Sequence, residues 1–120
     1  MGRDWERIRK IVLAVEDHPA GYAPDLAFDG YTSEQIGYHC YLLADAGFAK
    51  GLDNTTLGSD SPQWIISHLT SAGHDFAEAS RNDSVWASAM KLIKDKAGTV
   101  TADVLKVVLA AGLKSVLGLP

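Results

Sequence analysis

Thr32-Ser33-Glu34-Gln35-Ile36-Gly37-Tyr38-His39-Cys40-Tyr41-Leu42-Leu43-Ala44-Asp45-Ala46-Gly47-Phe48 is the stretch on which the fold turns. Thr32 and Gln35 have the spacing of a capping box, in which each side chain satisfies the other residue's backbone N–H at a helix start. Ile36, Cys40 and Leu43 then line one face, and Gly47 is placed to take the left-handed conformation that stops a helix. Phe48 to Leu52 and Gln63 to Leu69 read as an outgoing and a returning strand. Between them, Asp53-Asn54-Thr55-Thr56-Leu57-Gly58-Ser59-Asp60-Ser61-Pro62 is dense in turn formers and predicts a mobile tip. Thr70 caps a further helix in which Ala72, Phe76 and Ala79 are expected to face inward.

Upstream, Asp4 is a plausible N-cap for a helix with Trp5, Ile8, Ile11, Val12 and Val15 on one face, ended by His18-Pro19-Ala20-Gly21. Tyr22 to Tyr31 reads as a loop with a short strand around Leu26 and Phe28, with room for at most one helical turn. This order of elements predicts an α+β, mostly helical fold: an abbreviated winged helix (winged helix-turn-helix) over residues 1–81. Its wing spans about residues 48–69, and residues 82–120 form a C-terminal helical extension. In the extension, Asn82-Asp83-Ser84 breaks one helix and starts the next, carrying Trp86, Met90 and Ile93, which Lys94-Asp95-Lys96-Ala97-Gly98 closes. Thr101 starts the last helix. Its polar stripe, Asp103, Lys106 and Lys114, is narrow, so the apolar remainder asks for cover. Leu105, Val108, Leu109, Leu113 and Val116 are therefore expected to form the interface of a homodimer or higher homo-oligomer.

Charge divides the possible functions. Residues 1–10 carry Arg3, Arg7, Arg9 and Lys10, and residues 81–120 are also net basic. Residues 11–80, which hold the whole expected reading surface, carry Lys50 as their one Lys or Arg against ten Asp and Glu. Duplex binding rests on neutralising several phosphates, and one lysine cannot do that. On the helix expected to be the recognition helix, Glu34, Tyr38, Tyr41 and Asp45 share the stripe opposite the apolar face, with no arginine to read guanine. Tyrosines among acids point to an unidentified protein partner, contacted by that stripe and by wing residues Asp53, Asn54, Leu57 and Asp60. The competing reading has Tyr38 and Tyr41 merely packed half-buried. Duplex DNA is the alternative partner, through Arg3, Arg7, Arg9, Lys10 and Lys50, with the Lys91/Lys94/Lys96 cluster converging in space or across a dimer; solvated helix faces are the favoured account of these clusters.

Catalytic and metal readings find little purchase. His39 and Cys40 are sequence neighbours, which on a helix point about 100° apart and rarely share an ion. His39 is expected at the edge of the core and Cys40 within it. Ser67, His68 and Asp75, or Cys40 and His74, lack an elbow motif or a glycine-rich oxyanion loop, and Gly51 to Gly58 lacks the lysine of a phosphate-binding loop. The expectation is a protein that is not an enzyme, with no cofactor and no metal. The 120-residue chain, 47% hydrophobic and 22% charged, has no apolar run near the roughly 20 residues that span a bilayer, no secretory signal and one cysteine. A soluble cytoplasmic protein is the natural reading.

A wider set of residues carries a resemblance. Arg3-Asp4, Ile8-Arg9-Lys10-Ile11, His18-Pro19, Gly30-Tyr31, Ile36-Gly37-Tyr38-His39, Ala46-Gly47, Trp64-Ile65, Leu69-Thr70, Gly73-His74-Asp75-Phe76 and Asp83 with Val85-Trp86 resemble a family of small bacterial, phage and prophage proteins grouped as a domain of unknown function. More distantly, His39 with Leu42-Leu43, Ala46-Gly47-Phe48 and Leu69-Thr70-x-x-Gly73 look like small winged-helix repressors. The resemblance implies the winged-helix fold and a phage or prophage setting. It transfers no catalytic or binding residue. The expected function is thus a regulatory or adaptor protein, for example one modulating a host nucleic-acid-processing system, with a DNA-binding transcriptional regulator as the alternative.

Overall fold

A computed structural model of the chain describes residues 2–95 and 101–120; Lys96 and the other residues of the expected 96–98 helix end lie outside them. The described elements run α1 (Trp5–Asp17), α2 (Ser33–Asp45), β1 (Ala49–Asp53), β2 (Trp64–Leu69), α3 (Ser71–Ser80), α4 (Asp83–Asp95) and α5 (Ala102–Leu117). The architecture is α+β and mostly helical. Two compact units divide at Ala77 and Glu78, inside α3, rather than at the expected 81/82 boundary.

The first unit follows local signals closely. Asp4 caps α1 through its carboxylate, which accepts from the Glu6 and Arg7 amides, and Ile8, Ile11, Val12 and Val15 are buried. Thr32 and Gln35 form the reciprocal capping box of α2. At the other end Gly47 sits at φ +80°, its N–H donates to the Ala44 carbonyl, and the Phe48 N–H reaches back to Leu43. Those are the two bonds of a Schellman stop. The chain then enters β1, whose first residue is Ala49; Phe48 belongs to the core instead.

β1 and β2 pair antiparallel, with Lys50 opposite His68, Gly51 opposite Ile66 and Leu52 opposite Ile65. One step along β1 thus matches two along β2, leaving Ser67 as a bulge. The bulge breaks strict alternation, so Ile66 and Leu69, three apart, both face the core. Gly51 is required opposite it, because a Cβ there would lie 2.0 Å from the Ile65 carbonyl oxygen. The bulged Ser67 turns its carbonyl to the 22–31 segment and accepts from the Ala23 N–H at 2.8 Å. That single bond replaces the short strand expected there. Proline, glycine and aspartate leave the segment too few free donors and too much turn character to extend the ladder.

In α3 the buried positions are Gly73, Phe76, Ala77 and Ser80, while Ala72 and Ala79, expected inside, are half-buried. Phe76 stacks on Phe48 at 5.0 Å between ring centroids and tilts against Trp5 at 6.4 Å. Phe76 is thus inward as expected, and the residues buried beside it are its neighbours Gly73, Ala77 and Ser80.

The second unit is an α4–α5 pair. The Asn82 side chain caps α4 by accepting from the Val85 N–H and from the Ser84 hydroxyl. Val85, Trp86 and Ala89 are buried, whereas Met90 and Ile93 are half-buried. Thr101 caps α5 and Gly118 ends it at φ +71°. Leu105 and Leu109 are fully covered within the chain, which corrects their expected place on an oligomer interface; Val108 and Leu113 are half-buried and Val116 is exposed. A leucine already enclosed by its own chain has no apolar area left for a second subunit to remove from water. The large apolar side chains that α5 leaves exposed are Val104 and Val107 on one face, with Val116 and Leu117 in its last turn. Among the described residues, no helix is long and apolar enough to cross a membrane.

Candidate interaction surface of the first unit

The residues expected to meet a partner lie on α2 and the β1–β2 loop, and the structure gives them unequal roles. Glu34 is a tether: its Oε1 accepts from the Asp60 N–H at 2.9 Å and from the Ser61 hydroxyl at 3.4 Å. The Gln63 amide donates to the Glu34 carbonyl and to Ser61 Oγ, both at 3.0 Å. Gly37 makes this possible, since a Cβ on that turn of α2 would collide with the Gln63 side-chain oxygen. Inside the loop, the Thr55 side chain first and then the Thr55 N–H, which donates to Asp53 Oδ1, hold the Asp53 carboxyl below its ordinary pKa. The Asn54 N–H and the Thr55 hydroxyl both donate to the Gln63 carbonyl, and Thr56 and Ser59 bond each other. A loop expected to be mobile is therefore wired internally and to α2. Replacing Glu34 with alanine should remove about 1 kcal/mol of that tether. Hydrogen exchange of the Asp60 amide would then quicken about fivefold, and unchanged protection would show the bond to be idle.

Tyr38 and Tyr41 are half-buried and tilt against each other at 5.9 Å between centroids, while Asp45 is exposed. The more prominent surface is apolar. Leu52 and Ile65, a directly opposed cross-strand pair, are 74% and 57% exposed, and Leu57 at the loop tip is wholly exposed. None of this triad was picked as a hydrophobic patch from sequence, because alternation along β2 is scrambled by the bulge. Beside it, α2, the hairpin and residues 24–26 enclose an open groove of about 570 Å³.

His39 lies at the centre of the unit, fully buried, and not at the core's edge. Its ring joins two helices: Nδ1–H donates to the Gln35 carbonyl at 2.7 Å, and Nε2 accepts from the N–H of Asp4, the cap of α1, at 2.9 Å. A carbonyl only accepts and a backbone N–H only donates, so these partners force the neutral Nδ1–H tautomer. The signal was present in the 36-39-40-43 spacing, which puts His39 on the apolar stripe. Burial is the main reason its pKa is lowered; the Gln35 bond and Asp4 oppose the shift, and Arg7 adds to it. The unfolded chain therefore takes up this proton first. Stability is fully present above about pH 6.5 and declines as pH falls below it. A melting temperature that drops between about pH 7.5 and 5.5 in the native chain, and drops less in His39→Gln, is the expected result. Equal slopes would contradict it.

The basic N-terminal cluster is largely engaged. The Arg3 guanidinium lies 4.2 Å from the Trp5 ring centroid, and Arg7 and Lys10 flank Tyr31 at 5.0 and 5.6 Å. Arg7 also approaches Asp4 at 3.8 Å. Lys50 is exposed on β1. The Cys40 thiol is buried, and that burial pushes its pKa up to about 12. His74 bonds Glu16, tying α3 to α1, while His68 bonds Ser67 and meets the Tyr22 ring edge. Among the described residues, no group of three His, Cys, Asp or Glu is placed to hold a metal ion.

Comparison with known proteins places the chain among sequences rather than activities. A profile of the hypothetical-protein family DUF2513 matches residues 2–99. An uncharacterized protein of Haemophilus influenzae (strain ATCC 51907 / DSM 11121 / KW20 / Rd) is 36% identical over 109 residues, covering 88% of this chain and 90% of that one. No solved structure matches significantly.

Proposed function

The chain belongs to the DUF2513 family of hypothetical proteins, and we propose that it is a non-enzymatic regulatory or adaptor protein, an abbreviated winged helix that meets a protein partner through α2 and the wing. The observation that carries this reading is the exposed Leu52–Ile65 pair with Leu57, on a hairpin whose neighbours are acidic. Large apolar side chains left exposed close together mark partner surfaces, as the cross-strand pair Leu52 and Ile65 is. A wing that tracks a phosphate backbone needs Lys and Arg in those places. The winged-helix reading is supported by the order helix, extended segment, capped helix, hairpin, helix, and by the Ala23–Ser67 bond that lays the extended segment on the outer edge of β2. In a phage or prophage setting, such a surface would modulate a host nucleic-acid-processing system by placing carboxylates where phosphates normally bind.

A photo-reactive residue at position 57, irradiated in the native cell, tests the reading. Protein adducts insensitive to nuclease are expected. Nucleic-acid adducts in their place would favour the DNA-binding regulator, whose support is the basic start of α1, although three of its four cations rest on Trp5 and Tyr31.

We further propose that α5 assembles copies of the chain through the face that carries Val104 and Val107, three residues apart and both exposed. Val107→Asp should then yield monomers by light scattering with the fold retained, because Val107 is 69% exposed within one chain. An unchanged mass would remove the proposal.

A further inference from the structure

The geometry points to a docking groove on the first unit for a short segment of a partner protein that alternates Lys or Arg with branched apolar residues. The inference rests on the protein-contact reading above and names the chemistry of the partner. The groove's wall is Ile65, exposed and open to the approaching partner, with its cross-strand neighbour Leu52 continuing the apolar strip along the hairpin. Ile36 and Ile66 are buried beneath it. Asp25 from the loop and Glu34 from α2 stand on the rim.

The two carboxylates are uncompensated in a specific way. Glu34 uses Oε1 to hold Asp60 and Ser61, which fixes the side chain and leaves Oε2 without a hydrogen bond among the described residues. Asp25 is exposed and has neither a hydrogen bond nor an ion pair there. A fixed carboxylate loses little further entropy when it captures a cation, so Glu34 is pre-organised by its bonds to the loop. Apolar surface between two such groups selects for both features of the segment at once. Its cations meet carboxylates, and its apolar side chains cover Ile65 and Leu52. Nucleic acid and anionic lipid are disfavoured by the same charges.

The probe is a fluorescein-labelled peptide of alternating lysine and leucine, titrated with the full chain beside two comparators: alternating glutamate and leucine, and alternating lysine and serine. The lysine–leucine peptide should bind at least about tenfold more tightly than either comparator. Asp25→Lys and Ile65→Ser should each weaken it about tenfold, and both sites are exposed, so the fold persists. Asp103→Lys, which changes net charge equally on α5, should leave the affinity within about twofold. Equal binding of the lysine–serine peptide, or equal effects of Asp25→Lys and Asp103→Lys, would overturn the groove. So would failure of the lysine–leucine peptide to bind. If protein adducts at position 57 persist in that case, only the groove falls; if they are absent as well, the protein-contact reading falls with it.

Discussion

Replacing Phe76 with alanine should lower the stability of the folded chain by about 3–5 kcal/mol, the range typical of deleting a buried aromatic ring. Phe76 is 1% exposed, stacked on Phe48 and tilted against Trp5, so its removal empties the place where α3, α1 and the end of α2 are held together. The neighbours that would have to fill the space are themselves fixed. Phe48 is pinned on both sides, its N–H bonded to Leu43 and its carbonyl to Thr70. The cavity therefore stays largely open, and collapse recovers little. Because single domains are stable by only about 5–15 kcal/mol, urea unfolding should show a midpoint shifted by a large fraction of its native value. A loss under about 1.5 kcal/mol would mean that α3 is not docked as described.

Gly73→Ala should lose about 2–3 kcal/mol, a magnitude usual for overpacking, even though alanine is the better helix former by about 1 kcal/mol. An added Cβ would lie 1.9 Å from the Phe48 carbonyl oxygen and 2.9 Å from its carbon, with Leu69 Cβ at 3.2 Å. That carbonyl cannot retreat without breaking its bond from the Thr70 N–H at 3.0 Å. Backbone meets backbone, so no side-chain rotation relieves the clash. Gly58→Ala is the matched control: its nearest atom, the Thr56 hydroxyl, is 4.0 Å away, and the change should stay within about 0.5 kcal/mol. If the two alanine variants unfolded at the same urea concentration, the close approach of α3 to Phe48 would be wrong.

These two residues also mark where sequence reading works and where it stops. The ends of α2 were legible because every signal involved is local: Thr32 and Gln35 are three apart, and Gly47 follows the last apolar position directly. Leu69-Thr70-x-x-Gly73 was recognised as a junction, but the reason for Gly73 is a carbonyl twenty-five residues upstream, which no local pattern encodes. Phe76 faces inward as expected, but Gly73, Ala77 and Ser80 are buried beside it where Ala72 and Ala79 were expected. The Ser67 bulge had a hint in Gly51 that only the pairing register makes readable.

The candidate surface shows the same division. Acidity and scarcity of cations are plain from residues 11–80, and the structure has Tyr38 and Tyr41 half-buried on α2, as the competing reading had them. Glu34, however, looked like a free surface acid and turned out to hold the loop tip from twenty-six residues away. His39 looked peripheral because its chemistry is polar, although its spacing with Ile36, Cys40 and Leu43 is that of the core. Leu57 is legible as a wing contact, whereas the exposed pair Leu52 and Ile65 is hidden by the bulge, which scrambles the alternation along β2.

The surface of α2 and the β1–β2 hairpin is proposed to meet protein and not duplex DNA. Anisotropy of a labelled duplex of roughly 30 base pairs, titrated with the full chain at low and at physiological salt, tests it directly. The account predicts no salt-sensitive rise in anisotropy at either condition. Binding at low salt that collapses steeply as salt is raised would contradict it and favour duplex contact through Arg3, Arg7, Arg9, Lys10 and Lys50.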